Sequence, residues 1–146
     1  MAITSVICNS FKAEVLQALH NFTASSGNSF KLALYTSSAT LNKSTTAYSS
    51  TNEISNTSGS AYVAGGKALT SVTPALSTDT ACCDFADVSF TSASFTTRGC
   101  LIYNETASGD PSVCAIDFGG DKTVSSGTFT IQFPTADANN AILRIA

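Results

Sequence analysis

The sequence predicts a mainly β fold, a β-sandwich or jelly-roll-like architecture with one N-terminal α-helix and a long Ser/Thr-rich loop or arm. Three observations predict it. Short apolar runs recur between clusters of Gly, Asn, Asp, Ser and Pro, as strands joined by turns do. Polar and apolar residues alternate strictly over residues 128–133, which is the period of a strand with one buried face. A length of 146 residues suits one domain, so we expect residues 1–146 to form a single β domain.

The centre of the predicted sheet lies between residues 95 and 134. Three apolar runs, at 100–103, 113–116 and 129–133, are each bounded by turn-forming residues. This pattern predicts three successive strands in a β-meander, with a turn at Asp117-Phe118-Gly119. The run 113–116 is apolar without a break, so we expect a central strand that is covered on both faces.

A helix is predicted over residues 9–22, with Asn9 or Ser10 as its N-cap. Its apolar positions recur at helical spacing; they are Phe11, Val15, Leu19 and Phe22. We expect this apolar stripe to seal one side or end of the β core. His20 would then lie near the helix end, bonded to backbone or exposed. The sheet begins after it with period two, at residues 30–35.

The stretch 36–66 differs in character from the rest of the chain, because it has few large apolar residues and many hydroxyls, amides and glycines. A segment of this length inside a compact domain usually has a function, so we predict an extended loop or arm that docks onto a partner. The alternative is a pair of weak strands with ordinary loops. Aromatic and branched side chains supply most interface energy; the partner-contact candidates are Tyr48, Ile54, Tyr62 and Val63.

Charge and composition narrow the possible partners. Only 12% of the residues are charged, against about a quarter in a typical soluble domain, and such a surface is easily desolvated at a permanent contact. A net charge of -3 argues against nucleic acid, which needs clustered Lys and Arg. The chain also lacks a long apolar span and a basic leader, so we expect no membrane contact and synthesis in the cytoplasm of the producing cell.

No residue pattern predicts catalysis, a cofactor or a metal. His20 stands alone, without the nucleophile turn that an acyl-transfer site needs, so we expect a non-enzymatic protein. The five cysteines include no CxxC pair and are predicted to be small buried apolar side chains. Asp117 with Asp121, and Asp84 with Asp87, have spacings that a calcium loop could use. Two carboxylates leave most of the calcium coordination sphere unfilled, so no metal site is predicted.

Nearly the whole chain from Phe30 onward resembles a family of small virion structural proteins found in tailed bacteriophages. The resemblance is most specific at Arg98-Gly99 and in three motifs: LIYN at 101–104, DFGGDK at 117–122 and FPTADA at 133–138. Family members usually have Ala-Leu or Ala-Val where this chain has Cys100-Leu101, which favours a packing role for Cys100. The family brings no catalytic residues to this chain.

The resemblance implies a virion component, and the leading expectation is a capsid decoration or cement protein. Such a protein binds the outside of the shell, often as a homotrimer, and holds neighbouring copies of the major capsid protein together. Low charge and repeated copies on a lattice suit this role, because avidity adds up many modest contacts. Two alternatives stay open: a tail, neck or fibre-base protein, and a host-surface glycan-binding module.

Overall fold

The computed structural model describes residues 2–55 and 62–146. Within them lie one helix and eight strands, in the order β1 (Val6–Ile7), α1 (Asn9–Leu16), β2 (Phe30–Tyr35), β3 (Lys67–Ala68), β4 (Ser71–Ser77), β5 (Thr80–Phe85), β6 (Val88–Asn104), β7 (Ser112–Ile131) and β8 (Leu143–Ile145). The strands form two antiparallel sheets, which we call the large sheet, with order β1-β7-β6-β2-β3, and the small sheet, with order β4-β5-β8. The predicted class, a mainly β and sandwich-like fold with a short N-terminal helix, is confirmed.

The strand β2 shows how the large sheet is covered on both faces. Leu32 and Leu34 belong to the main core, which the small sheet and α1 share. Ala33 and Tyr35 point to the opposite face, where a second cluster includes Leu41. Because alternate residues of a strand face opposite sides, a strand with buried residues on both faces must have a layer on each side.

The central meander differs from the prediction. Strands β6 and β7 form one long hairpin, and β7 contains both the second apolar run and the first part of the third, which continues beyond its last residue, Ile131. The residues expected to turn lie inside β7, where Gly119 has a φ of +80° and the ladder shifts register nearby. Pairing resumes with Thr97 opposite Lys122, so an irregularity in the strand absorbs the glycines. The start of β7 is nevertheless central, since it lies between β1 and β6 and its first residues are buried.

The helix is shorter than predicted, because α1 ends at Leu16 and not at residue 22. Ala18 adopts a positive φ of 61°, which a right-handed helix does not allow. Phe22 is still buried, and its ring stacks on Phe30 with centroids 4.4 Å apart. Phe22 is therefore a loop residue that packs into the core, although its position in the sequence fits a helical spacing.

His20 is buried and lies neither at the helix end nor at the surface, which corrects the sequence-based expectation. Its Nε2 lies 3.3 Å from Oε2 of Glu14, and its Nδ1 lies 3.1 Å from Nδ2 of Asn104. Burial lowers the pKa of His20, so a neutral ring accepts the amide N–H of Asn104. These partners connect the N-terminal segment to the end of β6, which no local pattern could predict.

All five cysteines are buried and unpaired, as predicted for packing residues. Burial raises the pKa of the Cys83 and Cys100 thiols to about 12, which keeps both protonated and unreactive near neutral pH. Within the described part of the chain, no helix is long and apolar enough to span a bilayer.

Candidate interaction surfaces

The described parts of the stretch 36–66 lie against the large sheet and do not extend into solvent as an arm. The amide N–H of Ile54 donates to the Leu34 carbonyl over 3.0 Å, which holds the loop beside β2. The ring of Tyr48 stacks on Tyr103 of β6, with centroids 4.7 Å apart. The loop is thus the second layer over the outer face of the large sheet. Residues 56–61 of the predicted arm lie outside the described residues.

Glu53 is the polar centre of this layer. Its Oε1 accepts the Tyr62 hydroxyl over 2.5 Å and the Gly65 amide over 2.8 Å. Its Oε2 accepts the Tyr48 hydroxyl over 2.7 Å. One carboxylate therefore binds residues on both sides of the segment 56–61, through hydrogen bonds that its charge strengthens.

The structure changes the role of two of the four predicted partner-contact residues. Tyr62 is fully buried and its hydroxyl accepts the Leu34 amide over 2.9 Å, while Ile54 is only 4% exposed. Both are core residues here and have no surface to offer a partner. Tyr48 is partly covered by its own contacts. Val63 is 64% exposed and remains available for contact.

The tyrosines of this layer predict how the phenolate absorbance of the chain depends on pH. Burial raises the phenol pKa of all four tyrosines in the chain, with that of Tyr48 raised to about 12. A raised folded-state pKa stabilises the fold below the unfolded pKa of about 10, and this contribution is lost as the pH rises beyond it. We expect little phenolate absorbance from the native chain at about pH 10, where the chain unfolded in guanidinium is half ionised. Equal absorbance in the two states would contradict the burial of these rings.

One open apolar surface, which we call the β7 cleft, lies along the outer edge of β7. It has a volume of about 610 Å³ and is bordered by β1, β7 and the segment that leads to β8. Its apolar lining includes Ile116, Phe118, Phe129, Ile131 and Ile142. β1 pairs only with the start of β7, so the later part of this edge has no partner strand among the described residues.

A second surface, which we call the α1 groove, lies between the helix and the small sheet. It has a volume of about 410 Å³ and meets the β7 cleft at Ile7. The helix contributes Phe11, Val15 and Leu16, and the sheet contributes Cys83 and Leu143 on its inner face. Leu16, the last residue of the helix, is 88% exposed.

The register of the small sheet explains why the rim of the α1 groove is apolar. Ala81 pairs with Leu76 on one side and with Ile145 on the other, so the three residues form one row across the sheet. Cys83 lies two residues further along β5, on the same face, and packs in the core. The inner face therefore continues beyond the core, where Leu76 is 74% exposed and Ile145 is 66% exposed.

Asp117 and Asp87, two of the four carboxylates at calcium-loop spacing, accept hydrogen bonds from the protein. Oδ1 of Asp117 accepts Nε of Arg98 over 2.8 Å and the Gly119 amide over 3.0 Å, and both bonds lower the pKa of Asp117. Asp87 accepts the Phe133 amide over 2.8 Å. In residues 2–55 and 62–146, no group of three or more His, Cys, Asp or Glu side chains could hold one metal ion.

Comparison with known proteins found no relative of this chain. No protein-family model matches the chain, and no curated protein or solved structure matches it either. The main features that the described residues present to a partner are the two apolar surfaces and the exposed side chain of Val63.

Proposed function

We propose that this chain is a structural component of a tailed-phage virion, and specifically a capsid decoration or cement protein that binds the shell of major capsid proteins. One observation carries the proposal: a small β domain leaves the β7 cleft and the α1 groove open beside each other. Contiguous exposed apolar surface on a small domain is typical of sites of protein–protein contact. The LIYN, DFGGDK and FPTADA motifs support the virion assignment by resemblance.

The charge distribution also supports a permanent contact. With 12% charged residues, the chain can cover a large area without removing many ions from water. A single small surface of this kind binds weakly, but many copies on a closed shell bind together through avidity. The β7 cleft is the surface we assign to the shell, because it is the larger of the two.

The first test is mass spectrometry of purified particles of the virus that encodes the chain, after shells and tails are separated. We expect the protein in the shell fraction, at a copy number comparable to that of the major capsid protein. A few copies confined to the tail fraction would instead establish a neck, tail or fibre-base role. Absence from both fractions would overturn the proposal of a virion component.

A second test asks whether the β7 cleft contacts the shell. Thr130 is exposed and lines the cleft, whereas Thr128 is exposed on the same face of β7 and does not line it. In T130D a charge would be buried at the contact without a partner, so we expect recombinant protein to bind stripped shells at least about tenfold more weakly. T128D adds the same charge on the same face outside the cleft and should bind as wild type. Far-UV circular dichroism of T130D checks that loss of the 2.9 Å hydrogen bond between the Thr130 and Ser89 hydroxyls leaves the fold intact. Equal binding by both variants would exclude the cleft as the shell contact.

A further inference from the structure

We propose that the α1 groove and its rim are an interface between two copies of this chain, related by a two-fold axis. This inference does not depend on the proposed function, since it concerns self-association alone. It begins from the groove itself, where the inner face of the small sheet extends past the core and leaves Leu76 and Ile145 largely exposed. Leu16 faces the same opening from the helix.

The charges around the groove identify the occupant. Lys12 and Arg144 line the groove, and among the described residues no carboxylate lines it. Asp79 lies in the turn between β4 and β5, three residues after Leu76, and is exposed. Neither Lys12 nor Asp79 forms an ion pair within the described part of the chain. One surface thus carries an apolar centre, a cationic side and an anionic side.

A surface with both charges around an apolar centre is complementary to itself. In a two-fold arrangement the same patch of each copy meets the other, and every contact occurs twice. Leu76 of one copy would enter the α1 groove of the second, and Asp79 beside it would reach the cationic side at Lys12. Both apolar rims would then be covered and the opposite charges would be adjacent, which also fixes the orientation of the two copies.

Leu76, Lys12 and Asp79 are exposed in the single chain, so we expect substitutions at these three positions to leave the fold intact. L76D should raise the dimer dissociation constant at least about tenfold, since it would place an unpaired carboxylate in the groove. V63D is the control for an added carboxylate: Val63 is 64% exposed and does not line the groove, so the dissociation constant of V63D should equal that of wild type. Far-UV circular dichroism of each variant checks that the fold is intact.

A charge exchange tests the orientation. D79K and K12D should each weaken the dimer by about threefold or more, because each places like charges opposite one another. The double variant D79K/K12D restores opposite charges and should regain most of the lost affinity. Failure of the double variant to recover, while L76D dissociates, would overturn the two-fold arrangement.

The measurement is sedimentation equilibrium of the full chain over a concentration range of about 1 to 100 µM, in which modest interfaces associate. We expect a monomer–dimer equilibrium. A wild-type chain that stays monomeric throughout, or a dimer equally stable in L76D and V63D, would overturn the interface. A stable trimer would also overturn it, because an isologous contact closes at two copies. Shell binding is scored separately with T130D, so the two proposals can fail independently.

Discussion

Replacing Gly66 by alanine is expected to be the most destabilising of the single substitutions considered for this protein. Gly66 has a φ of +87°, and a Cβ at this position would lie 2.0 Å from the Leu32 carbonyl oxygen and 2.8 Å from Cα of Ala33. Both atoms belong to the backbone of β2, so no side chain can rotate away. We expect a loss of about 3 to 4 kcal/mol in the free energy of unfolding. Urea unfolding followed by circular dichroism measures it.

Gly109 provides the control for backbone conformation alone. Its φ is +84°, close to that of Gly66, but a Cβ there would have no atom within 4 Å. G109A should therefore cost only about 1 kcal/mol, the penalty for an alanine in a left-handed conformation. Equal losses in G66A and G109A would contradict the close approach of the loop to β2.

The substitution E53Q is expected to have the second-largest effect, a loss of about 2 to 3 kcal/mol in the free energy of unfolding. A glutamine has one acceptor oxygen, whereas Glu53 accepts three hydrogen bonds through two oxygens. Either the Tyr48 hydroxyl, or both the Tyr62 hydroxyl and the Gly65 amide, would lose an acceptor. Tyr62 is fully buried, so its hydroxyl has no access to water as a substitute.

E105Q is the matched control for loss of a carboxylate charge. Glu105 pairs with Lys31 over 2.7 Å, but its side chain is exposed, and such surface ion pairs contribute about 0 to 1 kcal/mol. Urea unfolding of the two variants in parallel should separate them clearly. If E53Q lowers the free energy of unfolding no more than E105Q does, the hydrogen bonds of Glu53 do not stabilise the loop.

The β class, the first strand of the core and the burial of the cysteines could all be predicted from the sequence. Period-two alternation defines a strand locally, and residues 30–35 are indeed β2. Small apolar side chains such as Cys100 are buried in most folds, so their packing role needs no knowledge of their neighbours. The virion assignment came from resemblance and stays a proposal.

Local patterns were misleading where two residues distant in sequence decide the outcome. The glycines at 119 and 120 look like a turn, but pairing with β6 continues past them and the strand absorbs them. The spacing of Leu19 and Phe22 looks helical, yet Ala18 ends any helix there and Phe22 packs on Phe30 from a loop. In both places the tertiary contact outweighs the local preference.

The candidate contact residues show most clearly which features the sequence predicts and which depend on tertiary structure. The sequence by itself predicted contacts for Tyr48, Ile54, Tyr62 and Val63, because they are the aromatic and branched side chains of a hydroxyl-rich segment. Only the tertiary structure showed which of these side chains pack in the core, because a core and an interface remove apolar area from water in the same way. Hydrogen bonds to Glu53 and to β2 hold Tyr62 and Ile54 in the core. The open α1 groove arises instead from the register of the small sheet. Register is a relation between strands, so no single stretch of sequence contains it.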